Sequence, residues 1–130
     1  MDHKKRASVK EGYYVAIVQK NHQRTGELTE GEVKKILTKL KPHYIFNLTG
    51  QSYVSRSWEL LHDTIYSQGV IVSNLLEAIV QTNSKIKFLN MTSSEIFDYS
   101  KKQPFNEKSP LKPYNPYGCA QVLGHNLVQV

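Results

Sequence analysis

Apolar positions along the chain follow two rhythms. Three short runs, at residues 13–18 (YYVAIV), 43–48 (HYIFNL) and 85–89 (KIKFL), are rich in β-branched and aromatic side chains and bounded by polar or turn residues. That pattern predicts strands, with Ile86, Phe88 and Leu89 buried in the third. Between them the spacing becomes helical. Thr29-Glu30-Gly31-Glu32 reads as a capping box, Val33, Ile36, Leu37 and Leu40 follow on one side, and Pro42 marks the stop. A second helix is predicted over residues 58–81, where Leu61, Ile65, Val72, Leu75, Leu76 and Ile79 recur. Gly69 inside it either weakens the helix or lets a neighbouring element come close. A third helix opens with Asn115 as cap and Pro116 at its first position. Pro104, Pro110 and Pro113 keep the preceding loop out of helix. Strands alternating with helices predict one α/β domain over residues 1–130 with a parallel sheet and crossover helices. A doubly wound layout would need helices on both faces, so the sheet is expected to be small and incomplete. Residues 1–12 are polar and read as frayed; the partner of YYVAIV is open.

Charge narrows the partners. Lys and Arg number 17 against 11 Asp and Glu, a net charge of +6. The cations are scattered (Lys4, Lys5 and Arg6; Lys34 and Lys35; Lys101 and Lys102; Lys108 and Lys112), with no aromatic-interleaved strand or basic helix to collect them. A solvated surface fits this better than a nucleic-acid interface. No apolar run reaches membrane-spanning length; residues 69–80 are broken by Ser73, Asn74 and Glu77. The opening MDHKKR is followed by no apolar segment, so no secretory signal is expected. Cys119 is the lone cysteine, which excludes an internal disulfide and suits a reducing, cytoplasmic setting. Asn47-Leu48-Thr49 and Asn90-Met91-Thr92 match the glycosylation pattern and are read as accidental in that setting. The five histidines show no ligand spacing, and no metal site is expected.

The stretch 85–121 carries the candidate chemistry. Ser93 and Glu95 follow a predicted strand, and Tyr117 lies in the first turn of the next helix. In open parallel sheets, ligands bind beyond the carboxyl ends of the strands. A tyrosine acting as acid or base near neutral pH must ionise more readily than free phenol, whose pKa is ~10; reaching ~7 takes about 4 kcal/mol. A lysine one turn along the helix is a good source of that help. Position 121, four residues on, is glutamine. Tyr117 therefore also reads as an ordinary half-buried tyrosine at a helix start, and Ser93 and Glu95 as caps on the strand end. No Gly-x-Gly-x-x-Gly turn occurs anywhere, so the usual phosphate cradle is missing.

Five pieces in order, from residue 23 onward, resemble the extended short-chain dehydrogenase/reductase family, in its nucleotide-sugar dehydratase branch of GDP-mannose 4,6-dehydratase type. Gly26-Glu27-Leu28-Thr29-Glu30 resembles Gly-Asp-Leu-Thr-Asp. Ile45-Phe46-Asn47-Leu48 with Gln51-Ser52 resembles Ile-Tyr-Asn-Leu-x-x-Gln-Ser. Leu75-Leu76-Glu77-Ala78-Ile79 matches the middle helix. Ser93-Ser94-Glu95-Ile96-Phe97 resembles Thr-Ser-Glu-Leu-Tyr, and Asn115-Pro116-Tyr117 through Gln121 resembles Ser-Pro-Tyr-x-x-x-Lys. The resemblance implies an incomplete Rossmann-like parallel sheet.

It also implies NADP as cofactor and a nucleotide sugar, GDP-mannose, as substrate. The cofactor takes a hydride from C4, water leaves across C5 and C6, and the hydride returns to C6. Carried over, Tyr117 is the base at the C4 hydroxyl, Ser93 bonds that hydroxyl, and Glu95 removes the C5 proton. Glu27, Leu28, Leu48, Gln51 and Ser52 would line the cofactor, with Tyr117 and Gln121 beside its ribose. Several features depart from the family: Gln121 stands where it has lysine, Asp98 where it has glycine, and the Gly-rich first turn and the substrate-binding C-terminal part have no counterpart. The expectation is a truncated or degenerate dehydratase homologue, inactive alone. The alternative is a non-catalytic module that pairs, as a homo- or hetero-oligomer, with a full-length dehydratase or another partner.

Overall fold

The structure is a computed structural model that describes residues 9–10 and 13–18, as backbone, and 28–130. Strand β1 (Val9–Lys10) pairs antiparallel with β2 (Tyr13–Val18). β2 then runs parallel to β3 (Tyr44–Asn47), and β3 parallel to β4 (Lys87–Asn90), giving the order β1-β2-β3-β4. YYVAIV thus finds its partner: Val15 registers with Tyr44 and Val18 with Asn47. Residues 9–10, read from sequence as part of a frayed tail, form a short strand; the rest of 1–12 lies outside the described residues.

Helix α1 (Glu30–Leu40) begins as its sequence dictates. The Glu32 amide donates to Thr29 Oγ1 at 3.3 Å, and the Thr29 amide donates to Glu32 Oε2 at 3.1 Å. It ends at Lys41, whose φ of 45° turns the chain toward Pro42. The predicted second helix is observed as α2 (Leu61–Ile65), a π-helical turn (Tyr66–Val70) and α3 (Ile71–Thr82), running on without a break in helical backbone. The extra residue of the π turn shifts the phase of the apolar stripe. Thr64 and Gln68, rather than Leu61 and Ile65, therefore lie inward with Val72 and Leu75. Gly69 is a close approach and not an accident: a Cβ there would meet Leu123 Cδ2 at 2.8 Å, and across the same crossing a Cβ on Gly124 would meet the Gln68 carbonyl at 2.8 Å. Helix α4 (Pro116–Gln129) is capped by Asn115, as predicted.

The core joins α1, α3 and one sheet face through Val33, Leu37, Ile45, Ile71, Leu75, Ala78, Ile79 and Ile86, with Leu28 and Phe88 packed against it. Burying each large aliphatic contributes roughly 1.5–3 kcal/mol. α4 lies toward the same face, where Gly124 faces Val72 and the Asn90 amide. The strands explain this. From β2 to β3 to β4 both crossovers step in one direction, and right-handed connections then place α1 and α3 on one side. The opposite side carries Phe46, Leu48, Leu89 and Met91, of which Leu89 is 44% and Met91 53% exposed. The expectation of Leu89 as a buried strand residue is corrected accordingly: its face has no helix over it among the described residues. Within those residues no helix is long and apolar enough to cross a membrane.

Candidate functional site

The carboxyl ends of β3 and β4 are tied to each other by their asparagines. Asn47 Nδ2 donates to Asn90 Oδ1 at 2.7 Å, and Asn47 Oδ1 accepts from the amide and hydroxyl of Thr49. Past this clasp the chain makes two different turns.

Beyond β3, Gln51 is buried and hydrogen-bonded through its side chain and its backbone. Its Nε2 donates to Thr64 Oγ1 at 2.7 Å, its Oε1 accepts from the Tyr53 amide at 2.6 Å, and its carbonyl accepts from Gln68 Nε2 at 2.8 Å. Gln68, in the π turn, accepts through Oε1 from Gln121 Nε2 at 2.7 Å. Gln121 is 4% exposed. Three glutamines thus form a dry amide chain that fastens residues 49–53 to α4. Leu48 and Ser52 are exposed around it. Leu28 packs on the core. Glu27 lies outside the described residues.

Beyond β4, Ser93 caps a 3₁₀ turn (Ser94–Ile96), its Oγ accepting from the Glu95 amide at 3.3 Å. The Glu95 carboxylate reaches the start of α4, where Asn115 Nδ2 donates to Oε2 at 2.8 Å while Asn115 Oδ1 caps the Gly118 amide at 2.7 Å. The approach is tight enough to demand glycine at 118: a Cβ would collide with the Glu95 carbonyl oxygen. Ser93, Glu95 and the first turn of α4 are therefore held together. Tyr117, half-buried in that turn, makes no hydrogen bond through its hydroxyl among the described residues. Tyr114 hydrogen-bonds Glu95, and that bond, followed by the carboxylate's charge, raises its phenol above the ordinary value. Asp98, where the related motif has glycine, accepts from the Ser100 hydroxyl at 2.6 Å and its amide at 3.0 Å, with Lys112 Nζ at 3.9 Å. Those Ser100 bonds come first in holding its carboxyl below the usual range, with Lys112 and Lys101 adding to them.

The sequence model of GDP-mannose 4,6-dehydratase matches residues 4–130. The chain belongs to the GDP-mannose 4,6-dehydratase family. Relatives include the enzymes of that name from Cricetulus griseus, 33% identical over 106 residues, and Homo sapiens, 32% identical over 106 residues. Each alignment covers 79% of this chain but only 28% of the relative's length. Among solved structures, a UDP-Glc/GlcNAc 4-epimerase from Campylobacter jejuni superposes with a TM-score of 0.71 at 23% identity, over 77% of this chain and 30% of the epimerase. RMD from Pseudomonas aeruginosa, complexed with NADPH, gives 0.67 at 22% identity over 82% and 36%. These two likenesses establish the fold, an α/β domain of Rossmann type.

Sequence reasoning missed Gln68. Beside Gly69 it reads as a polar interruption of an apolar helix, and only the π turn brings it to Gln51 and Gln121. It also missed Tyr99 and Tyr114, whose aromatic spacing in a proline-rich loop carries no periodic signal.

Proposed function

We propose that this chain is a degenerate homologue of the NAD(P)-dependent nucleotide-sugar dehydratases that keeps a surface for the sugar end of a nucleotide sugar such as GDP-mannose and carries out no hydride transfer by itself. The observation that carries this reading is the burial of Gln121 against Gln68. A base at position 117 needs about 4 kcal/mol of help to ionise near neutral pH. A neutral amide already bonded inward supplies no charge. The amino end of α4 contributes only ~0.3–1 kcal/mol to an anion in its first turn. In this reading the Tyr117 hydroxyl donates to a sugar oxygen and takes no proton from it.

The same groups weigh against NADP as a resident cofactor. The side-chain amides of Gln51 and Gln121 are buried and each is already turned inward by a hydrogen bond within the protein, so neither brings a charge to a ribose. The residues that follow β2 read QKNHQRTGE, with a single glycine where a Gly-rich pyrophosphate turn carries several. Sugar-facing chemistry remains: the Ser93 hydroxyl, the Glu95 carboxylate and the Tyr117 phenol suit a polyhydroxylated ring. Purified chain incubated with GDP-mannose and NADP should give no 4-keto-6-deoxy sugar, and an NADP titration should show no saturable binding. Product formation or stoichiometric NADP uptake overturns the reading.

A second reading, pairing with another chain, is favoured by the sheet face bearing Leu48, Leu89 and Met91, which no helix covers among the described residues. Its check is the solution mass of the chain alone and of its Leu89→Lys variant. A monomer in both removes self-association.

A further inference from the structure

Between the 3₁₀ turn and α4 the loop is closed at its neck. Phe97 bridges Leu111 in antiparallel fashion, the Asp98 amide donates to the Pro110 carbonyl at 3.1 Å, and the Lys112 amide to the Ile96 carbonyl at 3.0 Å. Phe105 stacks on Phe97 with centroids 4.9 Å apart and meets Tyr99 edge-on at 5.2 Å; Tyr99 in turn meets Tyr114 edge-on at 5.9 Å. Tyr99 is 41% and Tyr114 65% exposed, yet neither ring is loose. The Tyr99 hydroxyl donates to Ser94 Oγ at 3.1 Å, and that of Tyr114 is bonded to Glu95. A large ring that is both wet and fixed has given up its rotamer freedom before any ligand arrives, which is how a preorganised contact surface differs from an ordinary exposed tyrosine. At the edge of the shelf stands Glu95. A carboxylate offers about four lone-pair sites, and neither ion pair among the described residues uses this one.

We propose that the shelf of Tyr99 and Tyr114, with Glu95 at its rim, is a stacking subsite for a hexopyranose ring. The proposal rests on the nucleotide-sugar reading above and adds the residues that take the ring. A pyranose chair has a face of C–H bonds and a rim of hydroxyls. The C–H face lies on the Tyr114 ring, which Tyr99 braces edge-on, and rim hydroxyls donate to the Glu95 carboxylate. Nucleobases stack on tyrosine too. The sugar is favoured because the shelf is bonded to Ser94 and Glu95, in the turn built from hydroxyls and a carboxylate.

Saturation-transfer NMR on the whole chain, with methyl α-mannopyranoside, GDP and GDP-mannose as separate probes, tests the subsite. The expected result is saturation on the mannoside ring protons, lost in Tyr114→Ala and in Tyr99→Ala, kept in Tyr114→Phe, and weakened several-fold in Glu95→Gln. Circular dichroism identifies any variant that has unfolded, and the Tyr114→Phe and Glu95→Gln pair then carries the test. A mannoside signal absent from the parent chain, unchanged in both alanine variants, or replaced by one from GDP alone overturns the proposal. Turnover of GDP-mannose with NADP would sink the preceding reading while leaving this one standing. A mannoside signal unchanged in both alanine variants would do the reverse.

Discussion

The turns beyond β3 and β4 start from the same asparagine clasp and end in opposite states. Beyond β3, Gln51, Gln68 and Gln121 are buried, neutral and bonded to one another. Beyond β4, Ser94, Tyr99 and Tyr114 are exposed and surround an ionisable carboxylate. A buried amide chain is stable only when every member has a partner, so the first turn has become part of the packing. The second turn keeps its polar groups at the surface, where a ligand can compete for them.

The largest test of this contrast is at the joint between the open turn and α4. In Gly118→Ala the new methyl meets the Glu95 carbonyl and Pro113 Cβ, neither of which can swing aside. A loss of about 2–3 kcal/mol is expected in urea unfolding; a variant as stable as the parent would mean the turn is not braced by α4. Next, Gln121→Ala strands Gln68 Oε1 and should cost about 1–3 kcal/mol. Gln121→Lys puts a cation into the same dry place, and with GDP-mannose and NADP it should still form no 4-keto sugar; product from that single change would show that the closed side had been one residue from activity.

Acid stability probes the open side. Because the Asp98 carboxyl is held low, its contribution is present above the unfolded carboxylate value, ~4, and is lost as pH falls through the lowered folded value. Asp98→Asn should flatten that limb of the melting temperature against pH below about 4, and an identical limb would remove Asp98 from the account. The smallest effect concerns Tyr114. Its raised phenol is favourable below ~10 and that contribution disappears as pH climbs through the raised value. In ultraviolet titration one tyrosine should ionise late, and Glu95→Gln should return it to the ordinary range.

Local rules were legible in the sequence. The Thr29–Glu32 box, the stop before Pro42 and the Asn115-Pro116 start each depend on residues within one turn of one another, and each is found in place. What depends on direction was not. An apolar run such as KIKFL reads the same whether one face or both are covered, and Leu89 is exposed only because every crossover steps the same way. The pairing of β2 with β3 joins residues about 30 apart, beyond any periodic signal. Ser93 and Glu95 could be found as a motif. Gln68 could not, because a π turn leaves no mark in composition and alone decides whether residue 64 or residue 65 lies inward.

The asparagine clasp has one more consequence. Asn47 belongs to a glycosylation sequon, but in the folded chain it is 2% exposed and its amide nitrogen is already donating to Asn90. An oligosaccharyltransferase could reach that nitrogen only before β3 and β4 had come together. A glycan found on Asn47 would therefore date the modification to a moment before folding, and would itself keep the two strand ends from closing.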